Sequence, residues 1–280
     1  MKEIQIKIGK PDEWQAFQMR HPNFIKKLQP LYETLNKMFI REIKSSEAAD
    51  KPASRVVFYL GRLAVEDFNE ILLLCGNGYG IGGMKILRGL YERAVTLAYI
   101  SENPDKAEDF LDYFNIHQWK FLNHVRQVFA LDKLNLSSEE EAEIQNNYEK
   151  VKERYKEVLC EKCDKTRIRN SWSKLDTLSM ARNAGIDKLY VPCFFHPTLQ
   201  THTTVASLCS RLKLRDDSGL TFIDGPQHKE ADFSITGAHN LILCVLDAVN
   251  GYFKMGLQEE IEDRFRDFQL IWGVREEQIT

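Results

Sequence analysis

Apolar residues recur three and four positions apart through almost the whole of this chain, and that spacing constrains its fold more than any other feature. Residues 24–43, 55–75, 84–100, 105–129, 139–159, 171–184, 198–212 and 232–253 carry it, and a charged segment at 257–269 adds a last one. A period near 3.6 residues lines such positions along one face of an α-helix, so each segment is predicted to be helical and to bury that face. No regular alternation of strands and helices competes with this pattern. The expected fold class is therefore all-α, a multi-helix bundle with at most a small β-hairpin or short sheet.

Some boundaries carry their own chemistry. Asn103 before Pro104 reads as a cap followed by proline at the first helical position, and Ser137 with Glu140 has capping-box spacing. Two short stretches suit strands instead. One is the alternation of Ile4, Ile6 and Ile8; the other is LKLRDDSGLTFI, where Asp217, Ser218 and Gly219 make a hairpin turn. No repeat, low-complexity tract or clear linker interrupts the chain, and DKPAS and NLSSEEE are short joints. The expected organisation is one helical domain over residues 1–280: an N-terminal helical extension to residue 50, a bundle over 51–260, and a tail over 261–280.

The glycines at the middle of this pattern pose a specific alternative. Gly78, Gly80 and Gly83 stand in G-x-G-x-x-G register behind the apolar run ILLLC, as in a dinucleotide-binding turn, and Glu102 stands near the place of a ribose-binding acid. That reading needs ILLLC to be a strand. Val57, Leu60, Ala64, Phe68, Ile71 and Cys75 are spaced as a helix, however, and so are Met84, Leu87, Tyr91, Ala94 and Ala98 beyond the glycines. No cofactor is expected. Gly76, Gly78, Gly80, Gly82 and Gly83 are read as a mobile turn that lets two helices approach closely.

Composition narrows the partners. With 38 basic and 41 acidic residues, a net charge of -3 offers no overall basic field for nucleic acid or an anionic membrane, although a local groove stays open. MKEIQIKIGK lacks the apolar core of a signal peptide, and no stretch approaches about 18 consecutive apolar residues, so a cytoplasmic protein is expected. Six scattered cysteines suit reduced thiols. Cys160 and Cys163 form a lone C-x-x-C without a second pair, which reads as chance rather than as a zinc site, and no metal is expected.

On a helical wheel, residues 84–100 show a polar arc of Lys85, Gly89, Arg93 and Thr96, with Arg88 and Glu92 at its edge beside Ile81, Val95 and Tyr99. An i,i+4 ion pair there is either an ordinary surface bridge or a partly buried functional pair.

The stretch MKILRGLYERAVTLAYISENPDKAEDFLDYF, with Arg88 and Glu92 in R-x-x-x-E spacing followed by Asn-Pro, resembles a family of bacterial all-helical proteins known as a domain of unknown function. A downstream block, RNSWSKLDTLSMARNAGIDKLYVPCFFHPTLQTH, is similar to that family's later region, where a tyrosine precedes a histidine and a small hydroxyl residue, here Tyr190, His196 and Thr198. The likeness covers roughly residues 50 to 260. It implies a helical bundle and a shared pocket holding Arg88, Glu92 and His196, and it brings no activity with it.

The histidines divide by position. Pro197 reads as a helix start that puts His196 at its cap, while Leu199, His202, Ala206 and Cys209 form an inward stripe. Such positions suit structural histidines. In the functional alternative His196 is a general acid or base beside Arg88 and Glu92, because imidazole titrates close to neutrality. His117 and His124 lie two turns apart on one face and are read as structural or surface residues.

Two function classes remain. In the first the protein binds a ligand or partner in a polar Arg/Glu/His pocket: Arg88 offers a planar fork to a carboxylate or phosphate, Glu92 holds that fork, and Tyr190, Thr198 and His202 line the site. The partner is a small molecule or a protein, or a second copy of the chain in a homo-oligomer. In the second the protein is a metal-independent ribonuclease resembling the small helical nucleotide-binding (HEPN-like) nucleases, as a defence or toxin effector, with Arg88, Glu92 and His196 catalytic. The marker of those nucleases, an arginine four to six residues before a histidine, does not occur here.

Overall fold

A computed structural model of the chain describes residues 10–39, 51–128, 136–160, 165–214 and 219–273. It is mostly α-helical, with eleven α-helices and two small antiparallel hairpins among the described residues. They fall into two compact units, one formed by residues 1–102 and 177–280 and the other by residues 103–176.

The larger unit is built on three long helices, α3 (Pro52–Gly76), α4 (Gly80–Glu102) and α10 (His228–Phe253), which pack on one another. The stripes read from the sequence face inward: Val57, Ala64, Phe68 and Ile71 of α3 meet Leu87, Leu90, Tyr91 and Ala94 of α4 and Ile235, Ala238, Leu241 and Val245 of α10. Burying a leucine- or isoleucine-sized side chain contributes about 1.5–3 kcal/mol, so these faces dominate the stability of the unit. Among the described residues, α10 alone would pass by length and composition for a membrane-crossing helix, and two-thirds of its most apolar stretch is buried inside the protein. Its apolarity follows from its place between α3 and α4.

Around this core lie α1 (Pro11–Arg20), α2 (Pro22–Phe39) and α11 (Gln258–Trp272). Helix α1 carries little periodic signal. It is placed by two aromatic residues, Phe17, which is fully buried, and Trp14, whose ring lies against Gly76 so closely that a Cβ there would come within 2.3 Å of it. The return segment comprises α7 (Thr177–Asn183), a wide π-type turn at Val191–Phe195, α8 (His196–Thr201), α9 (Val205–Cys209) and a hairpin of β3 (Leu212–Leu214) with β4 (Leu220–Phe222). That hairpin is the one expected from LKLRDDSGLTFI, with Leu212 opposite Phe222 and Leu214 opposite Leu220. Asp217 and Ser218 of its turn, like Ile4, Ile6, Ile8 and Cys163, lie outside the described residues.

Two expected helices in this region are shorter than their apolar spacing suggested. The segment 171–184 is helical only at α7, and 198–212 breaks at His202 and Thr204, whose backbones are extended. Consecutive threonines at 203 and 204 disfavour continuation, and the Thr204 side chain instead caps α9 by accepting from Ser207 N. As a result His202, Ala206 and Cys209 are exposed rather than inward-facing.

The smaller unit holds α5 (Ala107–Val128), α6 (Ser138–Val151) and a hairpin of β1 (Lys156–Cys160) with β2 (Lys165–Ile168). The expected capping box opens α6: Ser137 Oγ accepts from Glu140 N at 3.2 Å, and Glu140 accepts from Ser137 N at 2.8 Å. The expected helix at 139–159 ends early, at Val151. Val151, Tyr155 and Val158 keep helical spacing, but only the first two are buried, and strand pairing with residues 165–168 takes over the backbone after Tyr155. Tyr113, Ile116, Val151 and Tyr155 make the core of this unit, where Tyr113 Oη donates to Arg169 O at 2.7 Å and His117 rests on the Tyr113 ring.

Candidate functional site

The glycine-rich joint between α3 and α4 is helix, tight turn and helix, and no parallel sheet exists among the described residues to support a dinucleotide fold. Gly78 has a φ of +79°, a conformation only glycine adopts freely. Gly80 opens α4 directly against the start of α10, where a Cβ would lie 2.2 Å from Ala231 N. Hydrogen bonds close the joint: Gln227 N donates to Gly78 O at 2.8 Å, Ile81 N to Gln227 Oε1 at 3.1 Å, and Ser234 Oγ to Gly80 O at 3.2 Å. The glycines serve close packing, and the turn is tied on both sides.

Beside this joint lies a cavity of about 520 Å³. Ile81, Gly82 and Lys85 of the first turns of α4 form one wall, the α8–α9 segment from Gln200 to Ser207 forms another, and Leu74, Tyr79, Arg211 and Gln227 complete it. Among the described residues its charged lining is Lys85 and Arg211, with His202 beside them and no aspartate or glutamate. Gln200 is 8% exposed and makes no hydrogen bond among the described residues, leaving Oε1 buried and unpaired. Arg211 stacks its guanidinium over the Phe222 ring, 5.3 Å from its centroid, and among the described residues its buried Nη1 has no partner. Unsatisfied buried polar groups are costly, so two of them at one cavity make it a candidate site for polar recognition.

Farther along the same face of α4, Arg88 Nη2 donates to Glu92 Oε1 at 3.2 Å. The pair is half-exposed; Arg88 lies over the Phe194 ring at 5.1 Å, and its Nε is buried without a partner. Partial burial raises the Glu92 carboxyl above its ordinary value, against the lowering effect of Arg88 and Arg93. Tyr190 belongs to the packing under this pair, its ring 6.2 Å from that of Tyr91 and 5.1 Å from that of Phe194. The Thr198 hydroxyl is used within the segment, donating to Phe194 O at 2.6 Å. His196 is exposed and set edge-on to Phe233 of α10 at 5.2 Å; among the described residues it makes no hydrogen bond or ion pair with Arg88 or Glu92. It sits inside a continuous helical run from Asp187 to Thr201 rather than at a cap.

Of the residues singled out from sequence, the structure thus joins Arg88 to Glu92, sets Tyr190 beneath them, and carries His202 to the basic cavity. Sequence reading placed Lys85 and Arg93 only on a polar arc and passed over Gln200, Arg211 and Gln227. Arg93 is bound instead to Asp67 of α3, at 2.6 and 3.3 Å. A lone aspartate inside an apolar stripe, between Ala64 and Phe68, was the signal for that partner.

A larger cleft of about 600 Å³ lies between α10, α11 and the π-type turn, lined by His21, Cys193, Asp232, Phe233, Phe268 and Trp272 among others. Its polar groups are largely paired with one another, as in His21 Nε2 with Asp232 Oδ1 at 2.7 Å and Thr236 Oγ1 with Asp232 O at 2.8 Å. The smaller cavity, with Gln200 Oε1 and Arg211 Nη1 unpaired among the described residues, is the stronger candidate for recognising a ligand.

Residues 55–219, more than half of the chain, match the family described as a family of unknown function, DUF5677. The chain belongs to DUF5677. The DUF5677 segment contains α3 from Arg55 onward, all of α4, the Arg88–Glu92 pair, His196 and every residue of the basic cavity except Gln227, which lies beyond it. No curated protein and no solved structure matches the chain.

Proposed function

We propose that this protein binds a small anionic ligand in the cavity over the first turns of α4. The observation that carries this reading is the lining itself: among the described residues, Lys85, Arg211 and His202 stand without a carboxylate, beside a buried Gln200 that has no partner. An anion supplies acceptor oxygens to Lys85, Arg211 and His202, and a half-turn of the Gln200 amide turns its NH₂ to the same anion. Ile81, Lys85, Arg88 and Glu92 follow one another at helical spacing, so Arg88 extends the basic strip along α4 and Glu92 holds its fork in place. A cytoplasmic setting suits the free thiols Cys75, Cys193, Cys209 and Cys244.

The nuclease-like alternative draws less support. It needs an arginine and a histidine acting on one phosphate, whereas Arg88 engages Glu92 and Phe194 and His196 engages Phe233.

The test is thermal unfolding in increasing sodium citrate and, separately, sodium phosphate, each against sodium chloride at equal ionic strength. Both salts stabilise proteins generally by exclusion, so the readout is the difference between the native chain and a Lys85→Ala, His202→Ala variant. A saturable rise in Tm with one of the salts, lost in the variant, is expected. Equal responses of both chains to both salts would refute the reading.

A further inference from the structure

Resting on that anion-binding reading, we infer that the ligand is a phosphate monoester carrying a flat ring, with its phosphate at the start of α4 and its ring against Tyr79. Three independent features of the cavity carry this.

The first is the arrangement of donors. The first turn of an α-helix leaves N–H groups without intrahelical partners, and a 23-residue helix directs partial positive charge there. In α4 the Ile81 N–H is used by Gln227 and the Gly83 N–H by Tyr79 O, while the N–H of Gly82, a residue of the cavity wall, has no partner among the described residues. Gly82 also lacks a side chain that would hold a ligand off this turn. Lys85 stands about one turn further on, and Arg211 and Gln200 face α4 from the other walls. Donors from several directions suit a tetrahedral group with three free oxygens better than a planar carboxylate, which a single fork satisfies.

The second is the unpaired amide. Gln200 is nine-tenths buried on the cavity wall, its Oε1 is buried and unpaired, and its amide makes no hydrogen bond among the described residues. Nothing in the protein fixes which atom points inward, and a half-turn of the amide presents its NH₂ to an oxygen anion. Burying a glutamine there makes physical sense only if something enters the cavity to bond it.

The third is balance of charge and size. Lys85 and Arg211 supply two positive charges, matching the charge of about -1.5 to -2 on a phosphate monoester at neutral pH. The cavity, about 520 Å³, is far larger than one phosphate group and falls in the range of small-molecule sites. Beside polar Thr201, Thr203, Ser207 and Gln227, one part of its wall is apolar, formed by Leu74, Ile81 and the Tyr79 ring, which Lys10 Nζ approaches to 4.9 Å from the centroid. A flat ring fits against such a wall by stacking.

The experiment is calorimetric titration of the full chain with phenyl phosphate, inorganic phosphate and benzoate, repeated on Lys85→Ala and Gln200→Leu. Lys85 is exposed and Gln200 makes no hydrogen bond among the described residues, so both variants should fold, which circular dichroism and Tm would verify. The expected order is phenyl phosphate tighter than inorganic phosphate, with benzoate weakest, and each substitution weakening phenyl phosphate by about tenfold or more. Benzoate binding as tightly as phenyl phosphate would overturn the phosphate inference and leave the anion-binding reading standing. Inorganic phosphate binding as tightly as phenyl phosphate would overturn the ring. Binding of none of the three would remove the inference and, together with a null result in citrate, the reading beneath it. Tight phenyl phosphate binding that neither substitution changes would place the site elsewhere and refute the assignment.

Discussion

Trp272, at the end of α11, donates its indole N–H to Nδ1 of His239 in the middle of α10, at 3.1 Å. The bond requires Nδ1 to be an acceptor, so His239 is the neutral tautomer protonated on Nε2. Phe24, Phe68 and Phe268 surround its ring, and burial pushes its pKa down to about 3.

That depressed value makes His239 an acid-sensitive element of the core. A histidine whose folded pKa lies below its unfolded value contributes stability that is fully present above the unfolded pKa, about 6.5, and is lost as pH falls toward the folded one. Unfolding free energy should therefore decline between about pH 6.5 and 3. His239→Gln should lose about 2 kcal/mol at neutral pH from broken aromatic packing, yet decline less steeply with acid. Urea unfolding of both chains at pH 7, 5 and 4 checks this; parallel slopes would refute it.

The two arginines on the outer side of α4 should behave differently. Asp67 is 7% exposed and takes two hydrogen bonds from Arg93, so Arg93→Ala strands a buried carboxylate and should cost about 2–3 kcal/mol. Arg88 faces a half-exposed Glu92, and Arg88→Ala should cost about 1 kcal/mol or less. Denaturant titration of the two variants decides the order, and an equal or reversed order would show that the Asp67 pair is not the one holding α4 to α3.

Glu92 gives a pH signature of opposite sign to that of His239. Its folded pKa is raised, chiefly by burial, so its contribution is present below the unfolded pKa, about 4.3, and lost as pH rises through the folded value. Replacing it by glutamine should flatten that part of the profile, making Glu92→Gln gain on the native chain between pH 4 and neutrality. The relative Tm of the two proteins across that interval is the measurement, and a constant difference would contradict it.

Gly80 leaves no room for a side chain. Its Cβ position is 2.2 Å from Ala231 N and 2.5 Å from Gln227 O, both backbone atoms, so Gly80→Ala must push the start of α10 away from α4. A cost of about 3 kcal/mol is expected, at the upper end for overpacking because backbone rather than a flexible side chain must move. Gly89 meets nothing within 4 Å, and Gly89→Ala should be neutral or stabilising by about 0.5–1 kcal/mol, as for glycine to alanine within a helix. Similar losses at both positions would refute the close contact.

Local signals were enough to read the long helices. The inward stripes of α3, α4 and α10 are legible because a helix repeats its buried face every three or four residues, and the Ser137 box because both of its bonds span only three. By itself, then, the sequence determined a mostly helical fold, the helical nature of the glycine joint and the Arg88–Glu92 pair, all of them relations within a turn or two of the chain. Where the same spacing arose without burial, as at Val158 and at His202, Ala206 and Cys209, it misled. A strand partner at 165–168 and the threonine cap of α9 decided those segments instead. Helix α1 escaped notice because two aromatic residues place it, one of them against Gly76 more than fifty residues away. The cavity is of the same kind. Lys85, Gln200, His202, Arg211 and Gln227 are brought together by packing of the α8–α9 segment and the start of α10 against α4, across separations of more than a hundred residues between Lys85 and the rest. No periodicity encodes such a grouping, because only the packed core sets which polar side chains share a wall and which are left without partners.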